Sequence, residues 1–121
     1  TATITDMTLE KNVGTAAGYS NGTIYATGTG NLAITRLNAS ENQSTNGGIL
    51  YTSGSLAITL ADSTITNNTA LNGGLVSYRG NKTMEISGCT ITGNTAANGG
   101  AMKFVVDPIV FLKVVGVLLM I

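Results

Sequence analysis

The stretch NTALNGG at residues 68–74 returns as NTAANGG at 94–100 and, more loosely, as NQSTNGG at 42–48. An asparagine, a short polar spacer and Asn-Gly-Gly thus recur every 26 residues, and a fixed period of that length marks an array of similar structural units. Anchoring on the first asparagine of each copy aligns four nine-residue segments: ITDMTLEKN (4–12), ITRLNASEN (34–42), LADSTITNN (60–68) and ISGCTITGN (86–94), at offsets of 30, 26 and 26. The additional length in the first unit falls in VGTAAGYS (13–20), a loop composition.

Aligned columns carry apolar residues at alternate or near-alternate positions: Ile4, Ile34, Leu60 and Ile86; Met7, Leu37, Ser63 and Cys89; Leu9, Ala39, Ile65 and Ile91. Short runs of this kind, broken by Gly and Asn, read as strands rather than amphipathic helix. A second strand follows the spacer in NGTIYA (21–26), NGGILY (46–51), NGGLVSY (72–78) and NGGAMKF (98–104), and a third in NLAI (31–34), SLAI (55–58) and TMEI (83–86). Three short strands and three turns per unit predict an all-β chain: a right-handed parallel β-helix, a solenoid of four to five coils of about 26 residues, with the repeats over 1–104 and an apolar terminal segment over 105–121.

Stacked coils place equivalent positions about 4.8 Å apart, so columns predict contacts. Asn12, Asn42, Asn68 and Asn94 are expected to form an internal amide ladder that satisfies the backbone at a corner. The Thr-Ala-Leu-Asn spacer is expected to turn the chain, and Gly47, Gly48, Gly73, Gly74, Gly99 and Gly100 to supply positive φ or close approach at the next corner. Asp6, Arg36 and Asp62 share one column and Lys11 and Glu41 another, so opposite charges fall beside each other in a predicted charge ladder. Cys89 shares the column of Met7 and Leu37 and is expected to be a buried structural thiol.

The pairing of a hydrophobic-x-x-Asn element (LEKN, ITNN, ITGN, with ASEN a weaker copy) with a Gly-Gly-apolar element (GGIL, GGLV, GGAM, with GTIY in the first coil) resembles the polymorphic outer membrane protein repeat over residues 3–104. That family prefers Phe where this chain has Leu or Ile. The resemblance implies an extracellular or cell-surface, adhesive or surface-building protein, and it implies no catalytic residues.

Composition narrows the function further. Charged residues make up 10% of the chain with a formal net charge of zero, which lacks the basic footprint of a nucleic-acid binder. There is no His and one Cys, which removes the common zinc sites, His-dependent triads and any internal disulfide, so neither a metal nor a cofactor is expected. The acids Asp6, Glu10, Glu41, Asp62, Glu85 and Asp107 are spread along the coils rather than gathered as a hydrolase would need, and no enzyme is predicted. Thr-Ile-Thr at 64–66 and 90–92 forms a flat array of the kind ice-binding solenoids use, but Asn38, Ser40, Thr8 and Glu10 occupy its columns in the earlier coils. Sequons begin at Asn21, Asn38, Asn42, Asn67 and Asn81; Asn38, Asn67 and Asn81 are the better acceptors, since Asn42 belongs to the internal ladder.

The tail FVVDPIVFLKVVGVLLMI (104–121) is interrupted by Asp107, Pro108 and Lys113, too soon for a transmembrane helix. A step of 26 from Ile86, Cys89 and Ile91 lands on Leu112, Val115 and Val117, so the tail is expected to supply a fifth coil whose apolar outer face contacts another subunit or a membrane. The chain opens at Thr1 without a charged n-region, so any signal peptide is expected to be processed away or to lie outside this sequence. The predicted function is an extracellular structural or adhesive protein that stacks end to end with itself into a filament, with glycans or a host surface as further partners. The alternatives are a carbohydrate-binding or carbohydrate-active groove and an ice-binding face.

Overall fold

The structure, a computed structural model, describes residues 1–14, 23–46, 49–72, 76–80, 82–98, 102–106, 112–115 and 118–120, with backbone alone for 46, 53, 72, 76–80, 98 and from 102 onward. The described chain is all-β, and every strand pair is parallel.

Strands fall into three sheets that the chain visits in rotation. Sheet A holds β1 (Ala2–Thr5), β3 (Ile24–Thr35), β6 (Leu50–Ala61), β10 (Met84–Ser87) and β14 (Leu112–Val115) in that order, with β9 (Val76–Gly80) beside the first half of β6 and β13 (Met102–Val106) beside β9. Sheet B stacks β2 (Thr8–Glu10), β4 (Asn38–Ser40), β7 (Thr64–Thr66), β11 (Thr90–Thr92) and β15 (Leu118–Met120). Sheet C stacks β5 (Gln43–Asn46), β8 (Thr69–Asn72) and β12 (Thr95–Asn98), and Val13 bridges to Gln43 one layer earlier. Long parallel strand stacks of this kind need both faces accounted for, one against a core and one against solvent.

The core lies between the sheets. Leu32, Ile34, Leu37, Ala39, Ile58, Leu60, Ile65, Met84, Ile86, Cys89 and Ile91 belong to one buried cluster, with Ile4 and Leu9 of the first layer partly buried against it. Equivalent side chains pile on one another through the registers Ile4↔Ile34↔Leu60↔Ile86 and Leu9↔Ala39↔Ile65↔Ile91. Alternation along Asn38-Ala39-Ser40 and Thr64-Ile65-Thr66, with only the central residue fully buried, is the period-2 signature of a strand with one core face.

Four expectations need correction. The spacer Thr-Ala-Leu-Asn does not turn the chain: it is strand β8, and its counterparts are β5 and β12. Its inward positions are the small Ser44 and Ala70, so the segment buries little apolar surface and carries no strong hydrophobic alternation. The predicted second and third strands are not separate faces either, because in β3 and β6 they run together within sheet A through bends at Gly28 (φ 115°) and Gly54 (φ 99°). The tail advances by 28 residues rather than 26: Met84 pairs with Leu112, Ile86 with Val114 and Ile91 with Leu119. Residues 107–111 stand between β13 and β14 where the previous layer has only 81–83, which shifts the register by two. Finally, Met7 is 38% exposed although Leu37, Ser63 and Cys89 of its column are buried. It sits in the first described layer and has a neighbour on one side alone.

In the tail, β13, β14 and β15 pair in register with β9, β10 and β11. Among the described residues no helix is long and apolar enough to cross a membrane.

Candidate functional site

Each passage from sheet B to sheet C is made by two residues. The first adopts the left-handed conformation: Lys11 (φ 55°), Glu41 (φ 56°), Asn67 (φ 58°) and Gly93 (φ 66°). Its N–H donates to the carbonyl of the next layer, Lys11 to Ser40, Glu41 to Thr66 and Asn67 to Thr92, at 3.1–3.2 Å. The second residue is the asparagine. Asn12, Asn42 and Asn68 each donate both a backbone N–H and a side-chain amide proton to the Oδ1 of the asparagine one layer on, Asn42, Asn68 and Asn94, at 2.8–3.0 Å.

The remaining amide protons point back. Nδ2 of Asn42, Asn68 and Asn94 donates to the carbonyls of Leu9, Ala39 and Ile65 at 3.0–3.2 Å, and these three asparagines are 1%, 0% and 2% exposed. The Oδ1 atoms of Asn42, Asn68 and Asn94 therefore each take two donors, and these buried oxygens are satisfied without solvent, which is what burial of an amide requires. Asn12, in the first layer, is exposed.

The passage from sheet A to sheet B has the same construction. Asp6 (φ 54°), Arg36 (φ 52°), Asp62 (φ 50°) and Gly88 (φ 61°) are left-handed, and the residues following the last three, Leu37, Ser63 and Cys89, are buried. Leu37 N–H donates to Ser63 Oγ at 3.0 Å, and Ser63 Oγ–H donates to Ala61 O at 2.8 Å. Cys89 takes the place of Ser63 one layer on, its thiol directed at Ser87 O (3.3 Å) and Leu60 O (3.7 Å). Burial pushes the Cys89 thiol up, and it is free of any disulfide.

The two charge columns are thus the two left-handed columns, a role that the charges themselves conceal. Both end in glycine, at Gly88 and Gly93, and that pair of glycines is the sequence signal that could have identified them. A Cβ at Gly88 would lie 2.5 Å from Asp62 Oδ1, and one at Gly93 would collide with Asn67 Oδ1. Within the columns Arg36 clasps Asp6 with two hydrogen bonds, Nε to Oδ1 at 2.5 Å and a terminal nitrogen to Oδ2 at 2.8 Å. Arg36 holds the Asp6 carboxyl below the usual carboxylate range, and both groups remain largely exposed. No ion pair joins Lys11 to Glu41, so that rung of the predicted charge ladder does not form.

The outer faces differ in character. Sheet B presents Thr64, Thr66, Thr90 and Thr92, bounded by Asn38, Ser40, Thr8 and Glu10 on one side and, in register, by Leu118 and Met120 on the other. The paired threonines therefore span the two layers of β7 and β11. Sheet A carries a stacked pair, Tyr25 on Tyr51, with ring centroids 5.5 Å apart. The two tyrosines stand 26 residues apart, the repeat spacing that marks the pair in the sequence. On sheet C a cleft of about 580 Å³ is lined by Gln43, Thr45, Thr69, Leu71, Thr95 and Ala97, with Gly14 at one end.

Of the sequon asparagines, Asn38 is exposed on sheet B, Asn67 is exposed but left-handed with its Oδ1 against Gly93, and Asn42 is buried. Asn21 and Asn81 lie outside the described residues, as do Gly47, Gly48, Gly73, Gly74, Gly99 and Gly100. Among the described residues no three His, Cys, Asp or Glu side chains gather where they could hold a metal ion. Comparison with family models, with characterised proteins and with solved structures gives no match for this chain.

Proposed function

We propose that the chain is a right-handed parallel β-helix that serves an extracellular or cell-surface structural or adhesive role and associates end to end with further copies of itself. The observation that carries this reading is the asparagine column, in which each layer's buried polar groups are completed by the layers on either side of it. Such a scaffold is close to one-dimensional: stability accrues layer by layer, and lengthening the stack needs no new chemistry. The conspicuous polar residues of the repeat, asparagines and left-handed charges alike, are engaged in turning the chain, which supports a scaffold over an enzyme.

End-to-end association is supported by the outermost described strands. β1, β2, β14 and β15 are parallel strands stacked in register on the layer beside them, and parallel pairing of the same kind is what a further copy would extend, since a strand edge is a template for another strand. The cell-surface setting follows the resemblance to adhesin-type repeats. Negative-stain microscopy and sedimentation of the purified chain test the assembly: filaments or concentration-dependent linear oligomers are expected, and monodisperse single particles at high concentration would refute it.

A further inference from the structure

We infer that the outer face of sheet C is the adhesive surface and that it takes an uncharged glycan; this rests on the adhesive part of the function proposed above. The described side chains of the exposed large apolar class are Met7, Val13, Tyr25 and Leu71, and two of the four belong to this face. Leu71 is 51% exposed inside the 580 Å³ cleft, and Val13 is 65% exposed in the adjoining hollow, which shares Gly14 and Gln43 with it. Around these lie neutral polar groups: Gln43, Thr45, Thr69 and Thr95, with the Thr69 and Thr95 hydroxyls 3.4 Å apart.

Among the described residues, no ionisable side chain lines the cleft or its neighbour. An ionic ligand would lose hydration there without gaining a counter-charge, and a wholly apolar ligand would strip water from the hydroxyls and the Gln43 amide without replacing it. A neutral sugar matches both requirements, since each ring offers an apolar C–H face to Leu71 and Ala97 and hydroxyls to the threonines and Gln43. The cleft crosses the layers of Gln43, Thr69 and Thr95, two strand spacings of about 4.8 Å, which suits a short stretch of polysaccharide lying along the stack. The other faces fit less well, because the outer face of sheet B includes Glu10 and that of sheet A includes Glu85.

The test uses the full chain, its Thr69→Lys and Leu71→Glu variants, and Thr64→Lys on sheet B as a control. Each altered side chain is exposed, so unchanged denaturation midpoints verify folding. The probes are uncharged hexasaccharides built on glucose, mannose, galactose and N-acetylglucosamine, with polygalacturonate and heparin as charged controls. The inference expects at least one neutral hexasaccharide to bind, with affinity falling tenfold or more in both sheet C variants and holding in the control. It is overturned if only charged polymers bind, if no hexasaccharide binds, or if the control loses binding equally. Surface adhesion that persists in the sheet C variants would overturn the glycan cleft while leaving the adhesive reading intact, whereas adhesion absent from the unaltered chain would remove both.

Discussion

At the level of single residues, the corners carry the cost and the compensation. A non-glycine residue in the left-handed region is disfavoured by about 1 kcal/mol, and Asp6, Lys11, Arg36, Glu41, Asp62 and Asn67 all accept it. Lys11 and Glu41 gain no ion pair in return, so Lys11→Gly and Glu41→Gly are each expected to raise unfolding free energy by about 0.5–1 kcal/mol in urea titrations. Gly93→Ala should do the opposite, losing at least about 1 kcal/mol through its φ and the collision with Asn67. Thr52 Oγ1 is buried with no hydrogen-bond partner among the described residues, so Thr52→Val should stabilise by about 1 kcal/mol. Asp6 is different in kind: its carboxyl is held low by Arg36, so its contribution is complete above the ordinary carboxylate range and disappears as pH falls through the lowered value. Asp6→Asn should therefore flatten part of the acid limb of a stability-against-pH curve, by a small amount because the pair is exposed.

At the level of elements, the asparagine column decides where sheets B and C meet. Asn68→Ala would leave Asn42 with two donors unpaired and Ala39 O without its partner, and a loss of about 3 kcal/mol or more is expected by denaturant titration. Asn12→Ala, in the exposed first layer, should cost far less, and equal losses would count against a buried ladder. The period of the repeat made most of this readable. The 26-residue spacing identified the residues that stack, including all four asparagines, because a column of identical buried amides leaves a mark that survives variation elsewhere. The corners were harder to read, since αL residues such as Arg36 and Glu41 look like ordinary surface charges. Sheet C was hidden for a related reason: its inward positions are Ser44 and Ala70, too small to announce a buried face. The tail's two-residue slip lay in a connection, where length is free to change while the strands keep their pairing.

For the whole molecule, layers repeat with little variation in backbone and much variation on the outer faces, so function in this account resides on the faces and in the ends rather than in the corners. The central claim beneath that division is that the asparagines form one continuous internal ladder, each layer completing the last. Through-hydrogen-bond NMR couplings test it directly, between the backbone nitrogens of Asn42 and Asn68 and the side-chain carbonyl carbons of Asn68 and Asn94. Both couplings are expected, together with side-chain amide protons of Asn42 and Asn68 that exchange with solvent only on global unfolding. Absence of the couplings, with those amide protons exchanging as fast as exposed ones, would contradict it.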